Sequence, residues 1–210
     1  MDVKNGDLRW QSHFSQASLF ASPSYNVKTR QILAASLDGS VAAFSFSSGQ
    51  QLWLIKLAKP VFSTPVWINE NRYLVACVNG VLYCYSAGQM AWKFVTGGPI
   101  FSTPCVTSDL TVVVGSHDHF LYCLEADNGQ QLWKLDFLDP IYSSSFTVSN
   151  TVVCCSTKGL LRLINLRTGV VYSEIKLSGE VFSSPIFLKR NIIVGCRDDF
   201  VYCFHSESYE

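Results

Sequence analysis

Three groups of side chains could build a reactive or metal-binding centre. His117-Asp118-His119 sets two imidazoles and a carboxylate in consecutive positions, a donor set that suits a divalent metal. Cys154-Cys155 is a vicinal thiol pair, which could close a strained disulfide. Asn79, Lys158, Arg197, Asp198 and Asp199 add charged and amide groups beside turn-forming residues. None of these completes a chemistry. The sequence has no Cys-x-x-Cys spacing for zinc, no Gly-x-Ser-x-Gly elbow, no Gly-Lys-Ser/Thr phosphate loop and no dinucleotide fingerprint. His117-Asp118-His119 reads as a solvated turn. No catalytic residue, metal or cofactor is expected.

Composition narrows the partners. Lys+Arg and Asp+Glu both total 16, so the formal charge is zero and there is no general attraction to nucleic acid or to an anionic membrane. Hydrophobic residues make up 48% of the chain, yet no apolar run reaches the ~18 residues of a spanning helix. The N-terminus, Met1-Asp2-Val3-Lys4-Asn5-Gly6-Asp7, has no apolar signal core. The eight cysteines suit a reducing compartment. A soluble, cytoplasmic chain is expected.

Repetition specifies the elements that must hold these groups. Asp38-Gly39, Asn79-Gly80, Asp118-His119, Lys158-Gly159 and Asp198-Asp199 recur at about 40 residues, each followed by an apolar run. Phe62-Ser63-Thr64-Pro65, Phe101-Ser102-Thr103-Pro104 and Phe182-Ser183-Ser184-Pro185 keep the same period, with weaker copies at Phe20-Ala21-Ser22-Pro23 and Tyr142-Ser143-Ser144-Ser145. So does Gly-x-x-x-Trp, at Gly6/Trp10, Gly49/Trp53, Gly88/Trp92 and Gly129/Trp133, with Ser173 in the next Trp slot. The intervening runs are short and rich in Val, Ile, Tyr and Phe, which favours strands. The period fits an all-β propeller of four-stranded antiparallel blades. The near-continuous apolar strands fit sheets buried on both faces.

Each repeat reads as strand A (Phe-Ser-Ser-Pro), strand B before the turn, strand C after it and strand D with the Trp. Proline is expected on the innermost strand, where no ladder bond is lost. Cys77 and Cys196 share a strand-B slot with serines, and Cys84, Cys123 and Cys203 share a strand-C slot with Ala43. These read as small buried residues. The repeats fall near 11–52, 53–91, 92–132, 133–172 and 173–205, within one domain over 1–210. Residues 6–10 form an outer strand that could close the fifth blade. The alternative is an open arc of a larger ring. Starting on a D strand and stopping on a C strand reads as a fragment or shortened isoform.

The segment Leu121-Tyr122-Cys123-Leu124-Glu125-Ala126-Asp127-Asn128-Gly129-Gln130-Gln131-Leu132-Trp133 resembles the repeat of pyrroloquinoline-quinone (PQQ) propellers. Its Ala126-x-Asn128-Gly129-x-x-x-Trp133 part is similar to their tryptophan-docking motif. The resemblance implies that Trp10, Trp53, Trp92 and Trp133 dock between blades. Within this class the chain is most similar to the C-terminal propeller of β-alanine-activating, acyl-CoA-synthetase-like enzymes. That resemblance implies a non-catalytic module that binds a protein, or presents an acceptor, for activating and carrier domains outside the chain.

A PQQ-binding dehydrogenase is the alternative. It needs calcium ligands and a catalytic Asp carried on long inserts, for which the blade spacing leaves no room; a redox-active chromophore after adding PQQ and Ca²⁺ would restore it. An outer-membrane assembly scaffold of the same blade type would need a signal peptide. The expected interaction surface is the rim of B–C turns: Asn79, His117, Asp118, His119, Lys158, Arg197, Asp198 and Asp199. The expected partners are a protein or adjacent domains of a longer enzyme.

Overall fold

A computed structural model describes residues 6–205. The runs between turns form strands, and the described residues contain no helix. The first blade contains β1 (Ser24–Asn26), β2 (Gln31–Ala35), β3 (Ser40–Ser45) and β4 (Gln51–Lys56). The second contains β5 (Val66–Trp67), β6 (Arg72–Cys77), β7 (Val81–Ser86) and β8 (Gln89–Val95). The third contains β9 (Cys105–Val106), β10 (Thr111–Gly115), β11 (Phe120–Glu125) and β12 (Gln131–Asp136). The fourth contains β13 (Phe146–Val148), β14 (Thr151–Cys155), β15 (Leu160–Asn165) and β16 (Val171–Lys176). The fifth has three strands, β17 (Ile186–Leu188), β18 (Asn191–Gly195) and β19 (Val201–His205). Every sheet is an antiparallel meander in chain order. First strands of neighbouring blades approach one another, as β1 and β5 do, so they form the inner edge.

The strand bounds differ from the repeat bounds expected from sequence. Trp53, Trp92 and Trp133 lie in the fourth strand of their own blades rather than at the start of the next. Each Trp stands opposite a strand-C residue just before a register shift, as in Cys84↔Trp92 and Cys123↔Trp133. A bulge at that point bends the pair and re-aims the outer strand. The prolines also differ from expectation. Pro65 and Pro104 stand one residue before β5 and β9, where a missing amide removes no ladder bond. Residues 6–10 form no strand, and β19 has no fourth-strand partner among the described residues.

The core is a series of seams. Leu33, Val41 and Ala43 of the first blade meet Tyr73 and Val75 of the second. Leu74 and Leu82 of the second meet Val112 and Leu124 of the third. Val113 and Leu121 then meet Val152 and Ile164, and Val153 and Leu161 meet Ile192 and Val194. Alternate residues of one strand thus serve opposite seams, which is why these strands carry no polar face.

The Ser and Thr of the Phe-Ser-x-Pro segments do more than save space. Ser63, Ser102, Ser143 and Ser183 each donate a hydroxyl hydrogen to the last carbonyls of strand B in their own blade, at 2.7–3.0 Å. The next residue links blades. The Thr64 amide donates to Thr103 Oγ1 (3.1 Å), the Thr103 amide to Ser144 Oγ (2.8 Å) and the Ser144 amide to Ser184 Oγ (3.0 Å).

Candidate functional site

The B–C turns share one end of the blades, and the structure divides their side chains into two kinds. The first kind locks the turn. Asn79 Oδ1 accepts from the Val81 amide (3.1 Å), and Asp118 Oδ1 and Asp198 Oδ1 accept from Phe120 and Phe200 (3.1 and 3.3 Å). A tyrosine four residues on completes each clamp. Asn79 Nδ2 donates to Tyr83 Oη (3.0 Å), while the Tyr122 and Tyr202 hydroxyls donate to Asp118 Oδ2 and Asp198 Oδ2 (2.7 and 2.6 Å). Asp118 Oδ2 also accepts from the Gly97 amide (2.6 Å), tying the third blade to the loop that leaves the second. The Tyr202 hydroxyl holds the Asp198 carboxyl below its ordinary range.

The second kind faces outward. Lys158 pairs with Asp139 (3.1 Å) and Arg197 with Glu180 (3.0 Å), with both cations largely exposed. His119 and Asp199 are exposed and have φ of 78° and 71°. They occupy the slot that Gly39, Gly80 and Gly159 fill in the other turns. A side chain there strains the backbone, so neither blade chose it for stability.

His117-Asp118-His119 separates into three environments. The His117 ring leaves the turn and sits 4.6 Å from Phe101 and 5.9 Å from Tyr142, with Nε2 shielded and without a hydrogen-bond partner. Burial lowers its pKa, helped by nearby His119. Asp118 is committed to the turn and His119 points to solvent. Among the described residues no three His, Cys, Asp or Glu side chains gather as a metal-binding group.

The rim has an aromatic wall that the sequence reading used only as a marker. Phe20, Phe62, Phe101, Tyr142 and Phe182 contact one another in turn, with centroids 5.2–5.4 Å apart. Their common period was the available signal. The next layer lies one or two residues past strand B: Leu37, Val78, His117, Thr157 and Arg197. Each donates its amide to a carbonyl of the preceding blade-to-blade loop, at Ser18, Pro60, Pro99, Pro140 and Glu180. Five identical backbone positions thus carry five different side chains over a continuous aromatic belt. Arg197 lies 5.3 Å over the Phe182 ring.

The cysteines are all free thiols. Cys154 faces the seam with the third blade and Cys155 the seam with the fifth, so alternation along β14 keeps the neighbours apart. Burial pushes the Cys123 and Cys154 thiols up to about 12. Cys203 departs from its expected burial: its slot is buried at Cys84 and Cys123 but exposed in the fifth blade, against which no further sheet packs among the described residues.

The four tryptophans were expected to act alike, and three do. The indole N–H of Trp10 donates to Phe46 O (2.9 Å), that of Trp92 to Ala126 O (3.0 Å) and that of Trp133 to Leu166 O (2.7 Å). In each case the acceptor lies in the C–D turn of the next blade. Trp53 makes no such bond. The second blade closes its C–D turn with two residues, Ala87 and Gly88 (φ 49° and 80°), leaving no carbonyl within reach. Trp53 instead stacks on Tyr73 (5.0 Å, 14°), whose equivalents in other blades are Ile32, Val112, Val152 and Ile192. A cleft of about 220 Å³ remains there, lined by Trp53, Trp67, Tyr73 and Gly88.

With this geometry in hand, comparison with known proteins is informative. The family described as "Beta-alanine-activating enzyme, beta-propeller" matches residues 1–206. The chain is 33% identical to a Drosophila melanogaster beta-alanine-activating enzyme over 97% of its own length and 22% of that enzyme's. The Danio rerio and Homo sapiens enzymes of that name are each 34% identical over 38% and 36% of the chain, and over 8% of their own lengths. The chain therefore spans about a fifth or less of these relatives. Among solved structures it is similar to BamB from Moraxella catarrhalis (TM-score 0.81, 18% identity, 92% of this chain and 60% of that one). It is also similar to the C-terminal WD40 domain of Sif2 (TM-score 0.82, 17% identity, 92% of this chain and 56% of that one). At these identities the likeness concerns the fold alone.

Proposed function

Because the chain belongs to the beta-propeller family of the beta-alanine-activating enzyme, we propose that it is a non-catalytic interaction module. Its B–C rim would hold a protein surface, or the adjoining domains of a longer enzyme of that kind, rather than perform chemistry itself.

One observation carries this reading. Leu37, Val78, His117, Thr157 and Arg197 share one backbone geometry and differ in chemistry. A slot needed only for blade architecture would converge on one residue type, as the Asn and Asp of the neighbouring turns nearly do. Varied side chains over a partly exposed aromatic belt suit recognition, where apolar anchors and polar rim groups work together. His119, Lys158, Arg197 and Asp199 add exposed polar groups on rigid turns. The thiols raised by burial are poor nucleophiles, and Asp118 and Asp198 already accept turn and tyrosine hydrogens.

The direct experiment uses the fly relative, whose remaining length lies outside the match. The labelled chain is titrated with that remainder by fluorescence anisotropy. Saturable binding is expected, weakened about tenfold or more by Lys158→Glu with Arg197→Glu together, a combined loss of about 1.4 kcal/mol or more. Absence of binding, or binding indifferent to both substitutions, would remove the rim from the account.

A further inference from the structure

The seam between the first and second blades leaves an indole N–H without the carbonyl that the other tryptophans use. We infer that the cleft beside Trp53 binds an extended peptide segment of a second partner, whose main-chain carbonyl takes the place of the missing acceptor.

The opening is made by one turn. The carbonyls of Phe46, Ala126 and Leu166 accept from Trp10, Trp92 and Trp133. Ala87 holds the equivalent place in the second blade, since its amide donates to Asn71 O as those of Ala126 and Leu166 donate to Leu110 O and Asn150 O. Beyond it the turn is two residues shorter than that of the third blade, as the pairs Tyr85↔Met90 and Leu124↔Gln131 show. The left-handed backbone at Ala87 and Gly88 carries the chain back at once, and no carbonyl meets Trp53. Packing records the same opening. A Cβ on Gly129 would lie 2.5 Å from the Trp92 ring and one on Gly169 2.9 Å from the Trp133 ring, whereas one on Gly88 would meet nothing within 4 Å.

The lining sets the chemistry of the occupant. Trp67, Tyr73 and Tyr85 stand side by side on three strands, where the third blade has Val106, Val112 and Leu124. Trp53 stacks on Tyr73 (5.0 Å), and Trp67 meets it edge-on (5.5 Å). The cluster is short of acceptors. Besides the Trp53 N–H, the Trp67 N–H and the hydroxyl of fully buried Tyr73 have no partner. Unpaired donors of this kind are costly, so an acceptor brought to them is favoured. The acceptor should be neutral. The Glu70 carboxylate on the cleft wall is already balanced by Lys28 (2.5 Å), and no unpaired cation lines the cleft to hold an anion. The carboxamides of Gln31 and Asn71, also on the wall, can each meet both halves of a peptide group. A second hollow of about 310 Å³ shares Trp67 and Glu70 with this one, which gives an extended segment room to continue. A neutral main-chain carbonyl flanked by small or apolar side chains is the complement in shape and in charge. The A–B and C–D turns that frame the cleft lie at the opposite end of the blades from the B–C rim, so the segment belongs to a partner other than the one held there.

The indole N–H resonances of the isotope-labelled chain test this directly, with Trp53→Phe identifying the resonance concerned. The probe is the acetylated and amidated peptide of residues 45–50, a neutral segment that contains the Phe46 carbonyl already used by Trp10. A saturable downfield shift of the Trp53 resonance is expected, with a midpoint on the order of 1 mM for so short and flexible a peptide, while the Trp92 and Trp133 resonances stay in place. Grafting Ala126-Asp127-Asn128-Gly129 in place of Ala87-Gly88 gives the seam a carbonyl of its own. In that variant the Trp53 resonance should start at the shifted position and ignore the peptide. No shift at Trp53 up to the highest concentration overturns the inference, and the wild-type titration decides this without the graft. A peptide response that survives the graft overturns it too. So does a response to tetramethylammonium in place of the peptide, because the rings would then form a cation site. None of these readouts depends on binding at the rim.

Discussion

At the scale of single residues, the rim separates scaffold from display. Asn79, Asp118 and Asp198 hold turns with their side chains, whereas His119 and Asp199 sit where the backbone prefers glycine. His119→Gly is expected to raise the urea midpoint, adding about 1 kcal/mol of stability, because the imidazole has no bond that offsets the strain at φ 78°. A lower midpoint would mean that the side chain contributes to the fold. His117 gives a pH signature. Burial depresses its pKa below the ordinary 6.5. In the unfolded chain it takes up a proton as pH falls through that value, while the folded ring stays neutral to lower pH. The unfolded state then binds more protons, so stability falls as pH drops from about 6.5 toward the folded value. Urea unfolding of wild type and His117→Leu at pH 7.5, 6.5 and 5.5 tests this, and the variant should lose that part of the slope. The turn positions were legible in the sequence because Asn-Gly and Asp-Gly announce hairpins. The inward turn of His117 was not, since it depends on Phe101 and Tyr142, each brought alongside from a blade-to-blade loop.

At the scale of elements, each seam depends on what the C–D turn offers the tryptophan from the blade before. Gly129 has φ 74°, and a Cβ there would lie 2.5 Å from the Trp92 ring. Gly88 has φ 80° with nothing within 4 Å of such a Cβ. Gly88→Ala is therefore expected to cost about 1 kcal/mol from backbone strain alone, and Gly129→Ala about 2–4 kcal/mol from strain and overlap together. Adding Trp92→Leu should reduce the cost of the second substitution and leave the first unchanged, a coupling that thermal or urea unfolding of the double variants would read. Equal costs at the two glycines would show that the tryptophans do not set the seams. The sequence revealed the Gly-x-x-x-Trp period and hence the strands. It did not reveal that the shorter turn at Ala87-Gly88 leaves Trp53 without a carbonyl, because Tyr73, which fills the space, lies in another strand and matches no repeat marker. The prolines were placed one residue too far into the inner strands for a similar reason: the motif gives the bend but not the residue at which pairing begins.

At the scale of the molecule, five blades were countable from the spacing alone, since each turn signal recurs near 40 residues and both faces of each inner strand are apolar to serve the seams on either side. What escaped the sequence is burial in the fifth blade. Cys203 and Val201 read like their buried counterparts, yet both are exposed, with no further sheet packed on them among the described residues. The B–C turns, by contrast, present a varied rim on otherwise regular blades. The central claim is that the rim is the surface that meets another protein, on blades rigid enough to hold it. Amide hydrogen exchange of the chain, alone and with the rest of the fly relative, tests this most directly. Alone, β10 and β11 should exchange slowest and β19 fastest; with the relative, the turns at His119, Lys158 and Asp199 should gain protection while the A–B turns at the other end do not. Protection gained only at that other end, or nowhere, would contradict it.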